Sequence, residues 1–450
     1  MKIAGNFYNK SNFFKENLFI ILIIILRFGS SYTADFSYIF LAIFALTGRI
    51  QIIQALLLSW FFSMSNTEII AYSDYKTIGR YLIIIICAIS ALFRVSLKKI
   101  DKFILYTIFL SAYFVFHSLI FSQIVNVSVL KSLNWLIVIS TLSLTWYSFN
   151  ENEREYTFKW IIKLLELIFI FSLPYLFLDS GYQRTGDNFQ GILSHPMVYG
   201  PTMSILGAIY LSQLFTKKEL SFFLIFKISL IFLFVALSAS RTAFFALTFV
   251  SIFSLLIVAF FSKYKVSSYF QIISSSRIVL FLLVLCLLSI LDYQFFNYLE
   301  FVITKGNAVD VSSFWEAYNM SRGRLFEEMI ENIQQYPLFG IGFGIASDSQ
   351  SMRISYDPFF GLPIQAPVEK GIIFVAILEE VGITGFILFL LWIKGLVNRA
   401  INIGGMSVFI IITIFLLNMA EATLFSPGGM GLINLILLTS VITNTKIKNN

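Results

Sequence analysis

The sequence predicts an all-α protein whose helices cross a lipid bilayer many times. Of its 450 residues, 58% are hydrophobic and only 13% are charged, whereas a soluble domain is about one quarter charged. Apolar runs recur along the whole chain, and the charges gather in short gaps between them. These features favour a polytopic helix bundle, because in lipid a helix satisfies its backbone hydrogen bonds within one segment.

The charge and cysteine content disfavour several other function classes. The net charge of +7 requires no nucleic acid partner, because much of it lies on short loops that the positive-inside rule assigns to the cytoplasm. Cys87 and Cys286 each lie within an apolar run, which favours small buried side chains over a disulfide or a metal site. The first apolar run lacks a following cleavage site, so we expect it to be a retained span.

About 12 to 14 spans are expected when about 20 apolar residues are assigned to each and shorter ones are allowed. The candidates lie near residues 17–31, 36–48, 50–66, 81–95, 103–121, 129–149, 157–178, 197–215, 221–240, 242–262, 278–295, 372–394, 406–425 and 428–445. The chain then divides into an N-terminal transmembrane bundle (1–178), a transmembrane core (179–295), a large periplasmic loop (296–371) and C-terminal transmembrane helices (372–450).

Basic residues set the predicted orientation, with both termini in the cytoplasm. Starting inside, the basic clusters near residues 94–102, 217–218, 263–277, 394–399 and 446–448 all fall on the inner side, as the positive-inside rule expects. The long segment 296–371 then lies outside. Within it, Ser321 to Tyr336 has the apolar and acidic faces of an amphipathic helix, which Pro337 ends before the glycine-punctuated turn Gly340-Ile-Gly-Phe-Gly344.

Two arginine motifs on the predicted outer side are candidate anion sites. Arg241 ends Ser238-Ala-Ser-Arg241 at the junction of two spans. With Ser240 beside it, its guanidinium can hold phosphate oxygens bidentately, or it can anchor the helix among lipid headgroups. Arg322 and Arg324 lie at the start of the amphipathic helix, where cations oppose the helix macrodipole. An anionic ligand would relieve that conflict, and so would pairing with the glutamates of the same helix.

Carboxylates cluster around the start of the span after this loop. Glu369 and Lys370 directly precede it, and Glu379 and Glu380 lie about two turns inside. Carboxylates within a span are costly and suggest function by default, although Glu380 is also expected to bond backbone groups around the helix contact at residues 382–385. Glu369, at the membrane surface, is the better candidate base, and Lys370 is a candidate substrate ligand.

His195, in Ser194-His-Pro196, is one of only two histidines in the chain, and Arg184 and Asp187 lie upstream. A lone histidine at an interface is more often a structural hydrogen-bonding group than a base. We therefore interpret His195 and Arg184 as candidate substrate-binding residues. No histidine or cysteine cluster has the spacing of metal ligands, so the sequence predicts no metal or other cofactor.

The order of these motifs resembles the O-antigen ligase and Wzy-type polysaccharide polymerase superfamily. His195-Pro precedes one span, and Ser238-Ala-Ser-Arg241 opens another. The outer loop carries Arg322-Gly-Arg-Leu325 and Pro337-Leu-Phe-Gly-Ile-Gly-Phe-Gly344, and Glu380-Val-Gly-Ile-Thr-Gly385 lies in the next span. The resemblance covers residues 180–395 approximately.

This resemblance implies a metal-independent membrane glycosyltransferase on the outer face of the bacterial inner membrane. The donor would be a glycan on undecaprenyl diphosphate, the acceptor a second glycan, and the product O-antigen of lipopolysaccharide, capsular polysaccharide or exopolysaccharide. In this family one arginine of the serine-rich motif and one of the loop helix contact the diphosphate, and they match Arg241 and Arg324, with Arg322 as an alternate. A chain-length regulator and a flippase are the protein partners that the resemblance implies.

One departure from the family pattern bears on the reaction. The ligases carry a histidine shortly before the Glu-x-Gly-x-x-Gly span, near Gly371-Ile372 here, where the sequence has none. The departure favours a polymerase of repeat units and leaves Glu369 as the nearest base. The alternatives are a ligase that transfers polysaccharide to lipid A core or to protein, and a transporter of lipid-linked sugars. The transporter would show inverted repeats, and the sequence shows none.

Overall fold

A computed structural model of the protein describes residues 10–73, 75–95, 100–182, 186, 188–216, 222–261, 324–357, 361–368 and 370–443. Within these ranges, the side chains of residues 10–16, 216, 253–261, 324, 325 and 365 lie outside the description.

The described chain is mostly helical. Its α-helices, numbered along the chain, are α1 Lys10–Gly29, α2 Ser31–Ala45, α3 Arg49–Met64, α4 Lys76–Arg94, α5 Lys102–Phe121, α6 Val125–Ser148, α7 Glu151–Ser172, α8 Pro196–Thr216, α9 Phe222–Leu237, α10 Arg241–Phe261, α11 Arg324–Gln335, α12 Ile373–Ile403, α13 Met406–Leu417 and α14 Gly431–Ile442. Two 3-10 helices, Leu173–Phe177 and Asp179–Gly181, follow α7. The short strands β1 (Ser355–Tyr356) and β2 (Pro363–Gln365) pair antiparallel.

The predicted all-α polytopic membrane fold is confirmed. Five helical stretches are long and apolar enough to cross a membrane, namely α4, α5, α6, α12 and the stretch Glu151–Phe177 that contains α7. Shorter apolar helices accompany them. Every predicted span overlaps a helix except the one at 278–295, which lies outside the described residues. The predicted amphipathic loop helix is observed as α11, with Met329 only 1% exposed.

The helices α3 and α14 occupy the interior of the bundle. Every residue from 52 to 63 in α3 and every residue of α14 is buried. Both helices are apolar around most of their circumference, which is the pattern of a helix enclosed on all sides. The peripheral helix α4, by contrast, buries one face and leaves large apolar side chains such as Ile85 and Leu92 exposed, as a helix facing lipid does.

Arginines tie the helix ends together at the predicted cytoplasmic side. Arg49 donates to the carbonyl oxygen of Ser148 at 2.8 Å and pairs with Glu153 at 2.9 Å. Arg399 pairs with Asp101, which precedes α5. A helix leaves its last carbonyls unsatisfied, and cations near them are favourable. These basic residues therefore stabilise packing in addition to marking orientation.

The last two helices are shorter than the predicted spans 406–425 and 428–445. Asn418 follows α13, where its side-chain oxygen accepts from the Leu424 amide at 2.8 Å and its carbonyl accepts from the Ile373 amide at 3.1 Å. The non-helical segment 418–430 packs on α6 through Phe425 and Trp135, whose ring centroids are 5.1 Å apart. Irregular backbone at membrane depth is tolerated where protein or a water-filled cavity surrounds it.

Candidate functional site

Helix α12 is interrupted at Gly382, whose φ of 63° and ψ of −171° are not helical. The carbonyls of Glu379 and Glu380 accept instead from the amides of Ile341 and Gly342, at 3.0 and 2.9 Å. The segment 337–344, which the sequence predicts as an outer turn, is therefore hydrogen-bonded into a break in a membrane helix. This insertion fills the break with the chain's own backbone.

The inserted segment 337–344 is held from two sides. On α12, a Cβ added to Gly382 would lie 2.3 Å from the Leu338 carbonyl carbon, so only glycine fits this close approach. On α5, the Nε2 atom of His117 lies 2.5 Å from the carbonyl oxygen of Phe339. Phe343 is fully buried. His117 therefore has a structural role in fixing the segment.

A buried ion network lies beside this insertion, and we call its members, Lys370, Glu379, Glu380, Asn332 and Gly344, the interlock. Lys370 pairs with Glu379, and its Nζ lies 3.9 Å from Glu380 Oε1. Glu379 also accepts from Asn332 Nδ2, and Glu380 accepts from the Gly344 amide, both at 2.8 Å. The carboxylates are 0% and 5% exposed. As expected from the sequence, Glu380 bonds a backbone group.

The serine-rich motif forms a strained turn between α9 and α10. Ala239 has a φ of 48°, a left-handed conformation that is uncommon for a residue with a Cβ. Ser238 Oγ donates to the Val235 carbonyl at 2.7 Å, and the Ser240 carbonyl accepts from the Phe244 amide at 3.0 Å. Arg241 is therefore the first residue of α10. A helix N-terminus favours anions, and here it coincides with a guanidinium.

A small cavity of about 20 Å³ lies beside this turn, and we call it the outer cavity. It is lined by Trp60, Met197, Pro201, Thr202, Ile205, Ser240, Thr242, Leu417, Glu421, Thr423, Met430, Ile433 and Asn434. The Oγ of Ser240 and the Nε1 of Trp60 are buried and have no hydrogen-bond partner among the described residues. Since buried polar atoms are normally paired, and a cavity of this size has room for about one water molecule, these two atoms indicate that the cavity holds water.

Four of the predicted site residues have described positions in the backbone and side chains. Ser240 is 1% exposed and lines the outer cavity, and the partly buried Arg241 follows it. His195 immediately precedes α8, and its Nδ1 accepts from the Met197 amide at 3.0 Å, which is a structural hydrogen bond. Lys370 lies in the interlock. Its predicted contact with substrate remains a prediction, since its ammonium group is paired with Glu379.

The other predicted site residues have no described side chain. Arg324 is the first residue of α11, which packs on α12. The remaining candidates, Arg184, Asp187, Arg322 and Glu369, lie outside the described residues. Among the residues that the structure describes, no group of three or more His, Cys, Asp or Glu side chains could hold a metal ion.

Sequence reasoning missed Glu421 and Lys131. Glu421 lines the outer cavity, and Lys131 Nζ donates to the Gly344 carbonyl at 2.6 Å, which adds a contact to the interlock. Both lie inside predicted spans, at 406–425 and 129–149. The principle that drew attention to Glu379 and Glu380, that charged residues within spans are costly, applies equally to these two residues.

Part of the described site lies in a segment that matches a known family. Residues 226–390 match the family model Wzy_C, described as O-antigen ligase. This match begins in α9 and ends in α12, so it includes the serine-rich turn, α11 and all five residues of the interlock. No curated protein matches the chain. The predicted resemblance is therefore confirmed over this segment: the protein is a multi-pass membrane protein in which residues 226–390 are similar to the O-antigen ligase family.

Proposed function

We propose that the protein is a glycosyltransferase that polymerises undecaprenyl-diphosphate-linked oligosaccharide repeat units on the periplasmic face of the bacterial inner membrane. The observation that carries this proposal is the serine-rich turn, in which Ser240 lines the outer cavity and Arg241 begins α10. The turn combines an arginine, a helix N-terminus and a hydroxyl without a partner among the described residues. All three groups favour a phosphate ligand.

The proposed reaction is a displacement at the anomeric carbon of the donor sugar. The bond to the lipid diphosphate breaks, and negative charge grows on this leaving group. Fixed cations beside it stabilise the transition state more than the ground state, which lowers the barrier. Arg241 has this role in the proposal, with Arg324 of the loop helix as its partner and Arg322 as an alternate.

A base is also required to deprotonate the acceptor hydroxyl. Glu369 is the candidate that the sequence provides, with His195 as a weaker one. The hydrogen bond from the Met197 amide to His195 Nδ1 favours a structural role for that imidazole. A chain-length regulator and a flippase complete the proposed set of partners.

A ligase is the second candidate function, because the matching family model carries the description O-antigen ligase. The missing histidine near Gly371 favours the polymerase. A transporter is disfavoured: broken helices are typical of transporters because they open a binding site, whereas the break in α12 is filled by residues 337–344.

The decisive experiment is deletion of the gene in its native host, followed by gel analysis of the surface polysaccharide. A polymerase predicts single repeat units attached to the acceptor in the deletion strain. Unattached polymer on the lipid carrier would instead establish a ligase, and an unchanged pattern would contradict both.

Complementation with Arg241 variants then tests the site. Arg241→Ala should abolish long-chain product at unchanged protein level, because about two to three orders of magnitude depend on one transition-state donor. Arg241→Lys keeps a charge but loses bidentate geometry, so we expect partial activity. Normal chain length with Arg241→Ala would contradict the assignment of the diphosphate to the serine-rich turn.

A further inference from the structure

Three basic side chains share one region where α1 ends and α4 begins, and we call them, Arg27, Lys76 and Arg80, the basic cluster. Arg27 and Arg80 both repel the charge of Lys76. Lys76 and Arg80 lie four residues apart on α4, a spacing at which like charges destabilise a helix. Lys76 is also the first residue of α4, where a cation opposes the helix macrodipole. This arrangement is unfavourable unless an anion joins the basic cluster.

The two arginines of the basic cluster are held by neutral groups. Arg27, which is 1% exposed, donates to the Ala71 carbonyl at 2.6 Å and lies over two aromatic rings. Arg80 donates to the Gly428 carbonyl in the segment 418–430. The Nε atoms of both arginines are buried and have no hydrogen-bond partner among the described residues. Buried charges are costly unless they are paired, so these unpartnered donors point to an anion.

One carboxylate accompanies the basic cluster. Asp35 acts on the Tyr38 side chain together with Arg27 and Arg80, and it accepts from Ser73 Oγ at 2.5 Å. The ion pairs formed among the described residues include none of the three cations. Asp35 therefore offsets the charge of the basic cluster only in part, and positive charge remains in excess.

The surroundings of the basic cluster are those of the lipid headgroup region. Tyr32, Tyr72 and Tyr75 lie beside it in sequence and are largely exposed, and exposed tyrosines are typical of a membrane interface. Further along α2 and α4, which pack against each other, apolar side chains such as Ile39 and Ile85 are exposed. A lipid can therefore place an acyl chain on these helices and its headgroup beside the basic cluster.

The outer loop reaches the same place. Tyr81, which follows Arg80 on α4, donates its hydroxyl to the Ile364 carbonyl of β2 at 3.4 Å. A Cβ added to Gly428 would lie 3.0 Å from the Arg80 guanidinium, so the segment 418–430 packs closely against that side chain. These contacts place the basic cluster at the outer end of α4 and fix the position of Arg80.

We infer that the basic cluster binds the phosphate group of an anionic membrane lipid. Lys76 and Arg80, which are partly exposed, donate charge-assisted hydrogen bonds to the phosphate oxygens, and the buried Arg27 adds positive charge behind them. The site lies on α1 and α4, apart in sequence from the serine-rich turn, and it does not depend on the transfer reaction. A phospholipid of the bilayer and the lipid diphosphate of the proposed reaction share this chemistry.

The test uses full-length protein, freed of lipid in an uncharged detergent, and measures the binding of phosphatidylglycerol, undecaprenyl diphosphate and inorganic phosphate. Undecaprenyl diphosphate is titrated into protein that carries Arg241→Ala, so that the serine-rich turn does not contribute. Lys76→Gln should weaken lipid binding about tenfold or more, because a hydrogen bond to a charged group is lost. Lys76→Arg should retain binding. Lys159→Gln removes the same charge from an exposed lysine paired with Glu155 and should bind as the wild type does.

Stability separates a binding role of Lys76 from a structural one. Without lipid, Lys76→Gln removes a repelled charge, so titration with SDS should show an unchanged or higher free energy of unfolding. A fall in that free energy, or equal lipid affinities of Lys76→Gln and Lys159→Gln, would overturn the inference. Inorganic phosphate that binds as tightly as the lipids would also overturn it. If Lys76→Gln weakens the binding of one lipid only, that lipid is the ligand, and if it weakens both, the site accepts both.

Discussion

The interlock and the outer cavity both contain buried polar groups within or beside predicted spans, but they satisfy these groups differently. In the interlock, Glu379 and Glu380 are paired with Lys370 and with amide donors of the chain itself. In the outer cavity, Ser240 and Trp60 each leave a buried polar atom without a partner among the described residues. A buried charge is costly unless it is paired. The polar groups of the interlock are therefore structural, whereas the two unpaired atoms of the outer cavity can bind water.

The largest expected loss of stability follows from removing the ammonium group of the interlock. Lys370→Met leaves Glu379 and Glu380 buried without their counter-charge, and breaking a buried pair from one side costs about 3–5 kcal/mol. The free energy of unfolding, measured by titration with SDS in mixed micelles, should fall by that amount. Lys159→Met removes an exposed pair with Glu155 and should cost less than about 1 kcal/mol. Equal losses in the two variants would show that the interlock does not stabilise the fold.

A smaller loss of unfolding free energy is expected when the glycine at the break in α12 is replaced. Gly382→Ala forces a positive φ on a residue with a Cβ, which costs about 1–3 kcal/mol, and brings that Cβ to 2.3 Å from the Leu338 carbonyl carbon. The same SDS titration should show a loss of at least that size. Gly371→Ala is the control, because a Cβ there meets nothing within 4 Å. If both variants unfold alike, the inserted segment is not packed against α12 as described.

The smallest effect concerns two serines near the serine-rich turn. Ser204 Oγ donates to the Ala243 carbonyl at 2.8 Å, so Ser204→Ala should cost about 1 kcal/mol of unfolding free energy. Ser240→Ala removes a hydroxyl with no partner among the described residues and should leave stability nearly unchanged. It should instead weaken binding of undecaprenyl diphosphate about fivefold, as the loss of one hydrogen bond to a ligand does. If Ser240→Ala lowered the free energy of unfolding more than Ser204→Ala, the Ser240 hydroxyl would have a structural role.

The helices were predictable because hydropathy alone specifies a membrane span. Each described helix that was expected to cross the bilayer overlaps its predicted span, although α1 begins earlier and α12 ends later than predicted. Helix α13 ends before its predicted span does, because Asn418 and the segment after it leave the helical path within a stretch that remains mainly apolar. Composition does not reveal such an ending, since the partner of the Asn418 carbonyl is the distant amide of Ile373.

The site was predictable in part. The serine-rich motif at the junction of two spans identified Ser240 and Arg241 as candidates. In the structure, Ser240 lines the outer cavity. The insertion of residues 337–344 was not predictable, because a run of glycines indicates a turn and its hydrogen-bond partners appear only when α12 breaks at Gly382. Glu421 was missed because it lies about four residues beyond the end of α13, in a stretch interpreted as the end of a regular span.

The insertion also determines how the outer loop helix is mounted. Asn332 ties α11 to Glu379, and the chain enters the break in α12 only a few residues later. The far end of α11, at Arg324, therefore projects about 12 Å along the helix axis from a buried attachment point. Helix α11 is thus attached to the membrane helices near its C-terminal end, and a tilt about Asn332 would displace Arg324 more than any other residue of the helix.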